Sequence, residues 1–138
     1  MADELTKGEM SYFRIAKEIS SLSDHRVKIG CVIVDKHRVI SSGHNSNSKT
    51  HRIQAEIDTK YFGCECVGKL HAEVSALIPL IQNRYDISNA TVYTYRMDRN
   101  GNIAMSRPCP RCMELIKRCG IRKVKYTTAD GFAKEYVG

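Results

Sequence analysis

Apolar and polar positions follow two different periods along the chain, and the switches between those periods mark the expected elements. Residues 10–22 carry Tyr12-Phe13, Ile15-Ala16, Ile19 and Leu22 at steps of three and four, which predicts an amphipathic helix. Residues 28–35 contain the run Ile29-Gly30-Cys31-Val32-Ile33-Val34, and residues 38–42 follow with Val39-Ile40. The pair reads as a hairpin turning at Asp35-Lys36-His37. Residues 43–50 are polar, with the composition of a loop that can face a ligand. Residues 51–69 alternate briefly at Ile53, Ala55 and Ile57 and are irregular around Cys64 and Cys66, so they read as an insertion with room for one short helix.

The second half is more regular. Residues 71–82 are apolar at Ala72, Val74, Leu77, Ile78, Leu80 and Ile81, a buried helix that Pro79 should kink or shorten. Residues 90–97 alternate through Val92, Tyr93 and Tyr95 as a strand, and residues 98–102 form a turn whose Asn100-Gly101 pair tolerates positive φ at both positions. Residues 108–119 are a further helix, closed by Gly120. Residues 121–128 are a strand with Val124 and Tyr126, and Asp130-Gly131 turns into residues 132–137, whose type the pattern leaves open. Strands separated by helices argue for a partly parallel sheet, and the opening hairpin makes it mixed.

Size and charge narrow the picture. The 138 residues, 42% apolar and 27% charged, suit one domain spanning 1–138 that can bury a core without disulfides. No run approaches ~18 apolar residues, so no membrane contact is expected. The first seven residues lack both a basic start and an apolar stretch, so a cytoplasmic location is expected. The net charge of +7 fits an anionic partner such as a nucleotide or single-stranded nucleic acid, and fits a merely solvated surface equally well.

Chemistry enters through two helix starts. His71-Ala72-Glu73 opens one, and Pro108-Cys109-Pro110-Arg111-Cys112 opens the other. One His and two Cys give Zn²⁺ three protein ligands and leave a fourth tetrahedral position for water, which is the catalytic pattern. Cys109 and Cys112 are i and i+3, so both sit on one face of a first helical turn, where the helix dipole favours thiolates. Two thiolates acidify water less than an all-histidine site would, so a base is needed, and Glu73 is placed to be that base. A lone C-x-x-C or a lone H-x-E carries little; the two in this order match the H-x-E…P-C-x-x-C signature of zinc deaminases.

On these residues the chain resembles the cytidine deaminase superfamily, and within it the deoxycytidylate (dCMP) deaminase-like group. The resemblance runs from the helix at Tyr12 through Gly43-His44-Asn45 to Gly120-Ile121-Arg122-Lys123-Val124. It implies an α/β class, three-layer α/β/α fold with a mixed, mostly five-stranded sheet. It also implies a zinc-dependent hydrolase that converts dCMP to dUMP with release of ammonia, acting as a homo-oligomer. By resemblance, His71, Cys109 and Cys112 bind zinc, Glu73 moves the proton, Asn45 contacts the sugar, and the Ala72 N–H meets the pyrimidine carbonyl. The alternative is a deaminase of single-stranded DNA cytosine or tRNA adenosine. Such relatives carry a further helix near the end, whereas an antiparallel segment 132–137 resembles the free-nucleoside branch. A zinc-stabilised binding module is a third reading, and Glu73 counts against it.

Several residues stay open. Arg107 separates Ser106 from Pro108, where dCMP enzymes have serine directly before proline, so it is either a phosphate contact or a surface arginine. Cys64, Cys66 and His51 either hold a second zinc or are loop residues. Cys31 and Cys119 read as small core residues, His25 and His37 as solvated, and His44 as a flank of the substrate loop.

Overall fold

The computed structural model describes residues 5–24, 27–46 and 71–137. Among them, the chain runs α1 (Lys7–Ser20), β1 (Lys28–Asp35), β2 (Arg38–His44), α2 (Ala72–Gln82), β3 (Thr91–Met97), α3 (Pro110–Arg118), β4 (Lys123–Thr128) and β5 (Gly131–Tyr136). The insertion expected at 51–69, with His51, Cys64 and Cys66, lies outside the described residues, as does His25.

The five strands form one mixed sheet, as the resemblance implied, in the order β2-β1-β3-β4-β5. β1 is antiparallel to both β2 and β3, β3 is parallel to β4, and β4 is antiparallel to β5. It follows that β2, β3 and β4 point the same way, and their carboxyl ends share one edge of the sheet. The segment 132–137, left open by the sequence, is strand through Tyr136, within the edge strand β5.

β1 is buried at six successive positions because helices cover both faces. Val32 and Val34, with Tyr93 of β3, face Phe13 and Ala16 of α1. Cys31 and Ile33 point the other way into a larger core with Val92, Val124, Leu77 of α2 and Ile116 of α3. Three layers result: α1, the sheet, then α2 with α3. Two glycines allow the close approach on opposite faces. A Cβ on Gly30 would lie 2.0 Å from the Ala16 carbonyl oxygen of α1, and one on Gly43 would lie 2.6 Å from the Ala76 nitrogen of α2. No helix among the described residues is long and apolar enough to cross a membrane.

Four local expectations change. α1 begins at Lys7, three residues before its apolar pattern, because Thr6 and Glu9 form a capping box, and it ends at Ser20. The helix expected over 108–119 spans Pro110–Arg118, with Cys109 as its N-cap. Pro79 does not shorten α2, which continues to Gln82. In the 98–102 turn only Gly101 has positive φ (+80°); Asp98 Oδ1 accepts from the Asn100 and Asn102 N–H groups and holds the rest. The β1–β2 turn is made by Lys36 and His37 at φ 51° and 64°, a two-residue connection with neither Gly nor Asn.

Candidate active site

The site lies at the edge shared by the carboxyl ends of β2, β3 and β4. Its geometry depends on a split in the sheet. β3 and β4 pair only at Thr91↔Lys123, Val92↔Val124 and Tyr93↔Lys125. Beyond that, residues 104–106 run between the two strands: the Ala104 N–H donates to Arg96 O and the Ser106 N–H to Thr127 O. Three buried hydroxyls close the seam. Thr94 Oγ1 donates to Ser106 O at 2.8 Å, Ser106 Oγ donates to Thr94 O at 3.0 Å, and Thr127 Oγ1 donates to Ala104 O at 2.6 Å. The Thr127 N–H donates to Ser106 Oγ at 2.8 Å. This network leaves the buried polar groups paired, and it fixes the chain that enters Cys109 three residues later.

His71 and Cys109 are the N-cap residues of α2 and α3, both extended, and neither side chain caps its own helix. The side chains turn to each other instead. His71 Nδ1 lies 3.7 Å from Cys109 Sγ and 3.3 Å from Cys112 Sγ, and the three donor atoms fall within 4.8 Å of one another. Tetrahedral zinc, with Zn–S about 2.3 Å and Zn–N about 2.0 Å, spaces its donors roughly 3.5–3.8 Å apart, so the group fits the ion. Pro110 at the first helical position gives α3 a start that costs no hydrogen bond, which lets Cys109 and Cys112 share one turn.

The sulfur chemistry also suits a cation. The hydrogen bond from Cys112, helped by His71, outweighs burial and brings the Cys109 thiol down to about 3. Its hydrogen bond to Cys109, together with burial, pushes the Cys112 thiol well above the ordinary range. The pair thus favours losing a proton from Cys109 first, and a divalent cation would favour loss of the second.

Glu73, at the second position of α2, is 5% exposed. Burial raises its carboxyl above the usual range, against a hydrogen bond to Cys112 and the charge of His71. It lines the same cavity of about 520 Å³ as His71, Ala72 and Cys109, within the size range of small-molecule sites. Asn45 lines the same cavity beside Ile29. Its Oδ1 accepts from the Ile29 N–H at 2.9 Å and its Nδ2 donates to Val27 O at 2.6 Å. Those two bonds fix the amide's orientation and leave one N–H and one lone pair. His44 turns its Nδ1 to Asn45 O at 3.0 Å.

Asn45, His71, Ala72, Glu73 and Cys109 thus line this cavity, and buried Cys112 lies behind them with its Sγ 3.3 Å from His71 Nδ1. Cys31 is buried and Cys119 half-buried, as expected of packing residues, and His37 is exposed. Arg107 lines the cavity, and its half-exposed guanidinium forks onto Glu135, with Nε and Nη2 each 2.8 Å from a carboxylate oxygen. Two features escaped the sequence reading. The Thr94–Ser106–Thr127 network has no local pattern that would reveal it. Arg96, which lines the cavity from the end of β3, had a weak signal as the one charge in an otherwise uncharged strand.

A mixed sheet covered on both faces, with three side chains that could hold a metal at two helix starts beside a buried carboxylate, fits the class of zinc-dependent hydrolytic deaminases. The chain belongs to the cytidine and deoxycytidylate deaminase family: the family model for the "cytidine and deoxycytidylate deaminase zinc-binding region" matches residues 7–128. Zinc is accordingly its metal. Solved structures agree on the fold. The chain is similar to the dCMP deaminase of cyanophage S-TIM5 in its apo form, with 24% identity and TM-score 0.60 over 85% of this chain and 79% of that one. The same phage enzyme in complex with dCMP and dUMP gives 20% identity and TM-score 0.63, covering 90% and 83%. Cytidine deaminase from Burkholderia pseudomallei gives 14% identity and TM-score 0.64, covering 96% and 93%. No curated protein matches the chain.

Proposed function

We propose that this deaminase acts on a cytosine mononucleotide, converting dCMP to dUMP with release of ammonia. The observation that carries the reading is the meeting of His71, Cys109 and Cys112 beside buried Glu73 in one nucleotide-sized cavity. In this reading His71 Nδ1 and the two Sγ atoms hold Zn²⁺. When bound, the ion supplies Lewis acidity, making a water nucleophilic at neutral pH. Glu73 would accept the proton of the attacking water and deliver it to ring N3, then take the proton of the new C4 hydroxyl and pass it to the amine as the C4–N bond breaks and the C4 carbonyl forms. Burial, which raises the Glu73 carboxyl above the usual carboxylate range, helps it hold the proton that it carries between those steps. The Ala72 N–H, near the positive end of α2, is placed to donate to the pyrimidine carbonyl, and Asn45 offers its remaining N–H and lone pair to the sugar.

Support for a small substrate comes from β5, whose antiparallel pairing with β4 resembles the free-nucleoside branch. It comes too from the phage dCMP deaminase, whose structure holds dCMP and dUMP. Self-association, a cytoplasmic location and a single domain over residues 1–138 belong to the same reading, and sedimentation tests the first. An ammonia-release screen over dCMP, dCTP, deoxycytidine, cytidine and a single-stranded oligonucleotide, with zinc measured on the same sample, tests the substrate. Turnover of free dCMP by zinc-loaded protein is expected; turnover of the oligonucleotide alone overturns the reading.

A further inference from the structure

The cavity holds more positive charge than the chemistry at Glu73 needs. Arg96 and Arg107 both line it. Arg96 reaches Met105 O through Nη1 at 3.3 Å, while its Nε is buried with no hydrogen-bond partner among the described residues. Arg107 follows the hydroxyl-stitched segment and stands two residues before Cys109, so their Cα atoms are no more than about 7 Å apart. Its fork is filled by Glu135 of β5, and the Tyr126 hydroxyl donates to the same carboxylate at 3.2 Å.

We propose that Glu135 is an internal stand-in for the substrate's phosphate: the 5′-phosphate monoester displaces it from Arg107, with Arg96 as the second cationic contact. This rests on the mononucleotide reading above and names the residues that would separate a nucleotide from a nucleoside. The exchange is chemically matched. A planar guanidinium fork accepts two oxygens of a carboxylate or of a phosphate in the same bidentate geometry. The monoester carries about −1.5 to −2 charges against the single charge of Glu135, so it is the stronger partner for the same fork. The resident pair is also easy to part, since the two side chains are 43% and 33% exposed and are screened by solvent. Arg96 adds a second positive charge on the lining of the same cavity, which favours a dianion over a neutral ligand. Glu135 thus keeps a lone guanidinium beside the metal ligands neutralised until substrate arrives, and it sets a threshold that a neutral nucleoside gains nothing by crossing.

The test reads binding, so it does not depend on turnover. Calorimetry on zinc-loaded protein compares dUMP with deoxyuridine in wild type, Arg107→Gln, Glu135→Gln and the double variant, with thermal melts confirming that each is folded. Wild type should prefer dUMP. Arg107→Gln should cut that preference about 10- to 100-fold, the scale of a lost charge-assisted bond. Glu135→Gln should raise it about threefold, the scale of an exposed ion pair. The double variant should match Arg107→Gln, because without the fork Glu135 has nothing to compete for. An unchanged preference in Arg107→Gln, or a weakened one in Glu135→Gln, overturns the proposal. So does a loss in Arg107→Gln confined to a single-stranded oligonucleotide, which would assign the fork to a phosphodiester. If wild type binds dUMP through Arg107 but does not deaminate dCMP, the substrate reading fails and the phosphate contact stands.

Discussion

The helix starts of α1 and of α2 and α3 solve the same problem in opposite ways. At α1, Thr6 Oγ1 accepts from the Glu9 N–H at 3.1 Å, and Glu9 Oε1 accepts from the Thr6 N–H at 2.9 Å. Two otherwise unpaired donors are satisfied by local chemistry. At α2 and α3 the N-cap positions are His71 and Cys109, and neither caps. A good cap contributes about 1 kcal/mol, so each of these helices gives up stability that α1 keeps. What α2 and α3 gain is convergence: their two N-cap side chains and Cys112 come within reach of one ion. Where a local rule is broken at two converging places, the compensation is a site.

The largest expected effect tests what convergence is for. Glu73→Ala should keep zinc at one per chain while deamination falls about 10²- to 10⁴-fold, the range for a positioned proton carrier. Near wild-type turnover would remove Glu73 from the chemistry. Next comes the trade between cap and ligand. His71→Asn replaces a zinc donor with a strong N-cap residue, so the variant should lose tight zinc binding yet, compared metal-free, melt higher by the equivalent of up to about 1 kcal/mol. Urea unfolding in chelator reads this directly; a variant that loses stability without metal would mean that His71 supports α2 in some other way.

The α1 side yields smaller, purely structural effects. Glu9 is buried and takes Lys125 Nζ at 2.8 Å and Lys134 Nζ at 3.0 Å. Burial would raise its carboxyl, but the bonds from Lys125, the Thr6 backbone and Lys134 outweigh it and hold it at about 2, against an ordinary 4.5. A depressed carboxyl stabilises the fold above its unfolded value and loses that contribution as pH falls. Glu9→Gln should therefore cost on the order of 2 kcal/mol at neutral pH, and the gap from wild type should close between about pH 4.5 and pH 2. A gap independent of pH would assign the loss to packing alone. Smallest of all, Thr6→Ala should cost about 1 kcal/mol in chemical denaturation and leave kcat/KM unchanged, which separates α1 from the site.

The same contrast explains what the amino-acid pattern made legible. The metal donors could be read because their spacing is local: Cys109 and Cys112 share one turn, and His71 and Glu73 flank one helix start. The buried strands could be read because β1 is apolar on both faces. The start of α1 hid in Lys7-Gly8-Glu9, where the signal is a cap and not hydrophobic periodicity. The turn at Lys36-His37 was legible from the two flanking apolar runs, but its left-handed backbone was not, because it is carried by residues that rarely adopt it. Thr94, Ser106 and Thr127 were invisible for a different reason. Their hydroxyls bond across a split between β3 and β4, and no short-range pattern encodes a partner more than ten residues away. The Arg107–Glu135 pair joins a loop to an edge strand and hid in the same way.

The central claim is that one imidazole and two thiolates hold Zn²⁺ with a position left for water beside Glu73. X-ray absorption at the zinc edge of the loaded full chain tests it most directly. Two sulfurs at about 2.3 Å with two nitrogen or oxygen neighbours at about 2.0 Å are predicted. A third or fourth sulfur around the ion would contradict it, because the open position would then be closed.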